Sequence, residues 1–296
     1  MRFERRTAGV LAVVIVPGLA GCAASVPPST GKEHAAPSSH VHAIVADPSG
    51  DGFLLGTHDG IFAASAEGVL GARVSRFAFD AMGLAATDGA LLASGHPGSG
   101  TPAEFGAPNL GVIRSTDGGT EWESVAYPGE KDFHALASTP DGVVLGMTSD
   151  SIELLISRDN GSTWSATGTS MMTAGIAVDA TGRVIAATQE GLQVSTNDGA
   201  TFAPWVDAPV VYGLSASPDH QRVVGVDAKE RIWVTSAGAE SWTEVGSVHG
   251  SLQAITIAND GGILVADDSG TTFLPAAGLR IGIPKGGTLL YTRITP

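Results

Sequence analysis

The chain has a single cysteine, Cys22, among 296 residues, so no disulfide forms within it and thiolate chemistry is confined to its start. Aromatic residues are scarce at 6%, whereas glycine numbers 40, a balance that favours many turns and small side chains. Basic residues are also scarce. Lys and Arg total 16 against 30 Asp and Glu, giving a net charge of -14 and a pI near 4.8. With no basic stripe, a nucleic-acid backbone is excluded as a partner. Helical periodicity of useful length is missing beyond the first residues. So are a His-Glu-x-x-His pair, a phosphate loop and a Gly-x-Ser-x-Gly elbow.

The start of the chain reads as an address. Met1-Arg2-Phe3-Glu4-Arg5-Arg6 is a positive head, and residues 8–19 form an apolar run shorter than a membrane span, as in a secretory signal over residues 1–21. Leu19-Ala20-Gly21-Cys22 resembles a bacterial lipobox. That resemblance implies a lipid on Cys22, a new N-terminus there, and a place on the extracytoplasmic side of the cell membrane. Removing residues 1–21 takes away three Arg and one Glu, leaving roughly -16. Residues 22–39 are rich in Pro, Ser and Ala and read as a flexible tether. His34 and His40, in or beside it, read as solvated linker residues. The remaining residues, 40–296, are expected to form one domain.

What is abundant is a repeat. Arg114-Ser115-Thr116-Asp117-Gly118-Gly119-Thr120-Glu121-Trp122 returns as Ser157-Arg158-Asp159-Asn160-Gly161-Ser162-Thr163-Trp164. It returns again as Ser195-Thr196-Asn197-Asp198-Gly199-Ala200-Thr201-Phe202, and in eroded form as residues 235–242, ending in Trp242. The anchoring hydroxyls stand at 115, 157, 195 and 235, steps of 42, 38 and 40, a period typical of stacked supersecondary units. Each copy follows an apolar run and precedes an aromatic, so it is expected to turn a hairpin. In that turn Asp117, Asp159 and Asp198 would accept turn amides, glycines such as Gly119 and Gly161 would supply positive φ, and Trp122, Trp164 and Phe202 would anchor the unit. The copies resemble the Asp-box (BNR) repeat, S-x-D-x-G-x-T-W, which implies a β-propeller of the sialidase-like, glycosylhydrolase-like group. The motif also occurs in sortilin-type receptors and photosystem assembly factors, so it speaks for architecture more than for activity.

Beyond the boxes, the same order of strands and turns recurs from Val41 onward. Inner strands are expected at residues 41–46, 83–85, 133–137, 174–178, 211–215 and 252–257, each followed by a turn and a Val/Leu/Ile strand. Six units over residues 41–296 give about 43 residues each, the length of a four-stranded propeller blade. An all-β ring of six blades is the reading, with seven as the alternative if residues 64–80 or 270–296 hide another sheet. Residues 287–294 look like a strand that latches the ring.

The turns opposite the boxes carry the candidate site. His58, Asp59, Asp150, Glu190, Asp227, Asp267 and Asp268 fall at similar places in successive units, with His96 in an insertion over residues 96–108. The inner strands start near His42, His134, Tyr212 and Gln253. Converging on an axis, these residues would make an acidic, histidine-bearing mouth suited to a neutral glycan or to Ca²⁺. An equally direct reading has each aspartate capping its own turn. A sialidase would need converging arginines for the substrate carboxylate and a Tyr–Glu nucleophile pair. The first unit carries no early Arg, and Arg280-Ile281-Gly282-Ile283-Pro284 only echoes the sialidase motif, at the wrong end. The sequence therefore points to a lipid-anchored propeller that binds a protein or a glycan without catalysis. The alternative is a glycoside hydrolase using paired carboxylates, for which Asp150, Glu190 and Asp227 are the candidates.

Overall fold

In a computed structural model of the chain, residues 40–139 and 141–276 are described. The expected signal, Cys22, the expected tether up to residue 39 and the expected latch at 287–294 lie outside the described residues. Short strands alternate with tight turns, and each group of strands pairs only with itself, in antiparallel order along the chain.

The first sheet holds β1 (Val41–Ala46), β2 (Phe53–Thr57), β3 (Gly60–Ala64) and β4 (Leu70–Arg73), and the second β5 (Phe79–Thr87), β6 (Ala90–Pro97), β7 (Val112–Ser115) and β8 (Glu123–Ala126). The third holds β9 (Phe133–Ser138), β10 (Val144–Thr148), β11 (Glu153–Ser157) and β12 (Ser165–Ser170). The fourth holds β13 (Gly175–Val178), β14 (Val184–Thr188), β15 (Gly191–Ser195) and β16 (Ala203–Pro204). The fifth holds β17 (Val211–Ala216), β18 (Arg222–Asp227), β19 (Arg231–Ser236) and β20 (Thr243–Ser247). The sixth shows β21 (Leu252–Ile257), β22 (Ile263–Asp267) and β23 (Gly270–Leu274) among the described residues.

Burial falls from the second strand outward, because second strands are sandwiched on both faces. β2, β10, β14 and β22 are buried at every position, whereas β12 alternates between exposed and half-buried. A hydrophobic core fills each junction between successive sheets. Leu54 and Ile61 meet Phe79 and Trp122 at the first, and Leu92 and Val112 meet Phe133 and Trp164 at the next. The same pattern joins the third sheet to the fourth, the fourth to the fifth and the fifth to the sixth. The last core joins Val41, Phe53 and Leu55 of the first sheet to Ala254, Leu264 and Ala266 of the sixth. Gln253 Oε1 accepts the Val41 amide at 2.9 Å across the same junction. The ring is thus closed, and the fold is a six-bladed β-propeller.

The Ser-x-Asp turns follow one hydrogen-bond plan. Ser115 Oγ donates to Asp117 Oδ1 (2.8 Å) and accepts the Gly119 amide (2.8 Å), while Asp117 accepts the amides of Thr120 and Glu121. Ser157, Asp159, Gly161 and Thr163 repeat it. The indole of Trp122 donates back to the Gly119 carbonyl at 2.8 Å, and that of Trp164 to Gly161 at 2.9 Å. Each ring is thereby fixed in the junction ahead of its own blade, just before the return strand begins.

Three turns depart from this plan. In the third copy the acceptor is Asn197, which takes the Ser195 hydroxyl and the Thr201 amide, and not Asp198. Asp198 has φ +56° and pairs instead with Arg158 at 2.8 Å, because it sits one place too late to face the turn amides. In the first blade, where the box is absent, Ser65 Oγ still accepts the amides of Glu67 and Val69 and donates to Glu67 Oε2. The eroded fourth copy has Ala237 where the others carry Asp or Asn. Buried Asp179 of the preceding blade accepts the Gly238 amide there, and Arg183 donates to the Ala239 carbonyl.

Candidate functional site

The inner strands enclose a central channel of about 1140 Å³. Small residues let them approach. A Cβ on Gly83 would lie 2.3 Å from the Phe133 carbonyl of the next inner strand. Turns between first and second strands, together with the Ser-x-Asp turns, lie at one end of the ring. Turns between second and third strands, and the loops entering each inner strand, lie at the other, here called the rim.

A repeated irregularity shapes the rim. At the head of five inner strands the pairing with the second strand skips one residue, and the residues skipped are His42, Met82, His134, Tyr212 and Gln253. A bulge of this kind bends the strand and re-aims a side chain. His42, His134, Tyr212 and Gln253 all line the channel as a result.

Between the first three blades the rim is a histidine cluster organised by two aspartates, neither of which stands out in the sequence. Asp80, at the head of β5, has Oδ1 2.9 Å from His58 Nδ1 and 3.2 Å from His42 Nε2. The two nitrogens share a hydrogen bond at 3.3 Å. Neither approach to Asp80 has hydrogen-bond geometry, so Oδ1 is buried without a hydrogen-bond partner. Burial pushes the His42 imidazole down to about 4, against the pull of Asp80, so it is neutral near pH 7. His40 stands alongside, its ring 4.8 Å from that of His42 and 6.2 Å from that of His58.

Asp132, before β9, is 3% exposed and holds the second group. Its Oδ2 lies 2.6 Å from His134 Nε2 and 3.5 Å from His96 Nε2, while Oδ1 is buried without a hydrogen bond. The bond to Asp132 raises the His134 pKa above its ordinary value.

The sequence-predicted residues divide along the same line. His58 belongs to the first cluster, and Asp59 neighbours it in the β2–β3 turn, where its amide bonds Thr57 Oγ1. Asp150 is exposed and lies 3.4 Å from Lys131 Nζ. Glu190 is exposed in the β14–β15 turn. Asp227 is buried and accepts the amides of Lys229 and Arg231, the Arg231 guanidinium and the Trp233 indole. Burial works upward on its carboxyl, but these donors outweigh it and hold the pKa below the ordinary value. Asp267 is buried as a cap for Ser269 and Gly250, and Asp268 accepts the Ser251 amide. Asp227 and Asp267 therefore follow the turn-capping reading and do not present free carboxylates to the channel.

One pairing is invisible in the sequence. Tyr212 Oη, in β17, donates to Glu230 Oε2, in the β18–β19 turn, at 2.8 Å. Burial and this bond both push the phenol pKa well above its ordinary value, which keeps it protonated and a poor nucleophile. The one guanidinium tied to the neighbouring turn, Arg231, is already bound to Asp227 and Glu244.

Exposed apolar side chains also gather at the rim. Ile152, Met172, Val206, Val210 and Tyr212 all lie in rim loops or strand heads of the third to fifth blades, Met172 at 69% and Val206 at 74% exposure. The remaining exposed large hydrophobic among the described residues, Val69, lies at the other end.

No protein-family model matches the sequence, and no curated protein shows a sequence match. Solved structures do match. A GH74 enzyme from Niastella koreensis is similar at 20% identity and a TM-score of 0.56, over 83% of this chain and 37% of its own. The GH74 xyloglucanase from Xanthomonas campestris is similar at 15% identity and a TM-score of 0.52, over 81% and 45%. This chain thus spans less than half the length of either enzyme. At such identities the likeness establishes the propeller architecture.

Proposed function

We propose that this chain is a binding propeller, held at the extracytoplasmic face of the membrane by lipid on Cys22, and that it takes a protein partner at its rim without catalysis. The observation that supports this most directly is the crescent of exposed apolar residues at 152, 172, 206, 210 and 212, all at one end of the ring. Apolar side chains gathered on one face and rimmed by polar groups mark contact surfaces for macromolecules. Two features argue against hydrolysis. Asp227 is engaged in its own turn, and the Tyr212 phenol is held protonated. The lipobox-like Leu19-Ala20-Gly21-Cys22 supports the anchor, and Cys22→Ser is expected to move the protein from the membrane to the soluble fraction.

The test pairs binding with turnover. Immobilised chain is challenged with solubilised envelope proteins, and in parallel with xyloglucan and a fluorogenic sialoside. Capture of one defined protein that is lost in Met172→Glu and Val206→Glu, but kept in Val69→Glu at the opposite end, is the expected result. Release of reducing ends from xyloglucan that Glu190→Gln or Asp150→Asn abolishes would overturn it in favour of a glycoside hydrolase.

A further inference from the structure

Three donor atoms from three separate elements converge on one point between the first and second blades. His42 comes from the bulged head of β1, His58 from the β2–β3 turn and Asp80 from the head of β5. We propose that His42 Nε2, His58 Nδ1 and Asp80 Oδ1 form a binding site for a divalent transition-metal ion, with zinc the best-matched chemistry.

The distances carry the argument. Metal–ligand bonds of about 2.0–2.2 Å meeting at roughly 90–110° require donor atoms about 2.9–3.5 Å apart. The three separations here are 2.9, 3.2 and 3.3 Å. An ion about 2 Å from all three donors would sit roughly 1 Å off their plane, leaving its outer side open to a further ligand. The His40 ring lies 4.8 Å from that of His42 and 6.2 Å from that of His58, so it is placed to be that ligand.

The local chemistry agrees with the geometry. An arrangement built for hydrogen bonding would aim an N–H at the carboxylate. Here two imidazole nitrogens crowd one buried oxygen without doing so. The hydrogen bond within the triad joins His42 Nε2 to His58 Nδ1 at 3.3 Å and leaves Asp80 Oδ1 unanswered, whereas a cation between the three would satisfy every donor atom. Two imidazoles and one carboxylate are a borderline donor set, suited to Zn²⁺, Ni²⁺ or Cu²⁺, whereas Ca²⁺ takes six to eight oxygens. The second cluster lacks this form, because Asp132 Oδ2 lies 2.6 Å from His134 Nε2 in a hydrogen bond. A metal at the first cluster would tie the heads of β1 and β5, and so stitch the first blade to the second. The inference is independent of the partner reading and survives its failure.

The test uses full-length protein stripped with chelator, titrated calorimetrically with zinc chloride and separately with calcium chloride. One zinc per chain is expected, with no calcium heat. His42→Ala, His58→Ala and Asp80→Asn should each weaken binding about tenfold or more, while His134→Ala and His96→Ala leave it unchanged. Circular dichroism and metal-free melting of each variant establish that it folds. With cobalt, intense visible bands of low-coordinate Co²⁺ should appear in the wild type and vanish in Asp80→Asn. Absence of saturable zinc binding would overturn the proposal. So would binding that survives the three ligand variants, or that disappears only with His34→Ala, which would put the ion on the tether.

Discussion

Asp117 and Asp80 both belong to the second blade, at opposite ends of the ring, and their surroundings differ in every respect. Asp117 accepts a serine hydroxyl and two turn amides from residues within four positions of itself, and those donors hold its pKa below the ordinary value. Asp80 faces imidazoles from the first blade, with one oxygen buried and unbonded. A carboxylate satisfied by its own turn stabilises the fold and has no valence left for a ligand. One held among side chains from another blade contributes little to the fold and keeps that valence. Residue type does not separate the two; the origin of the donors does.

The comparison breaks most visibly at the aromatic anchored by the Asp117 turn. Trp122 is 8% exposed and packs edge-on against Phe79, so Trp122→Ala should lose about 3–5 kcal/mol. A denaturant melt checks this, with His58→Ala at the rim as the control expected to unfold like wild type. Half-buried Trp164 should give the smaller loss of the two indoles.

Exchange of the two aspartates is the sharper experiment. Asp117→Ala removes several turn hydrogen bonds and should cost about 1–2 kcal/mol. Asp80→Asn, measured without metal, should stay within about 0.5 kcal/mol of wild type because no hydrogen bond to its buried oxygen is lost. Equal losses would erase the distinction between the two ends.

The smallest expected effect is a pH dependence at the second histidine group. The folded pKa of His134 is raised by its bond to Asp132, so the folded state binds that proton more tightly than the unfolded chain does. Its contribution is complete below the unfolded value of about 6.5 and fades as pH rises through the folded value. Melting temperatures from pH 5 to 9 should therefore show a wild-type advantage over His134→Ala on the acid side that shrinks toward the alkaline side. A constant difference would mean that His134 acts by packing alone.

What the sequence disclosed follows from chain distance. The turns around Ser115 and Ser157 are closed by residues within a few positions, so their roles are written locally and repeat. The six inner strands were legible for the same reason, and the heads of several of them were already placed at the mouth. Asp80 was not legible, since its partners His42 and His58 lie in another blade, and Asp132 only in part, since His134 stands two residues on but His96 lies in β6. Asp227 misled because an aspartate in a rim turn looks the same whether it faces the channel or, as here, Arg231 and Trp233. The third box misled by one position, where Asn197 does what Asp198 was expected to do.

The bulges at the strand heads have a consequence for how such a ring changes over time. A residue skipped by the ladder answers to no partner across the sheet, so its identity is released from the grammar that fixes its neighbours. The skipped places are occupied by His, Met, His, Tyr and Gln, four of which line one opening with little chemistry in common. Each is a letter that mutation can rewrite while the surrounding word keeps its spelling. A lineage built on this frame can thus try new vocabularies of recognition one blade at a time, with the architecture held constant beneath them.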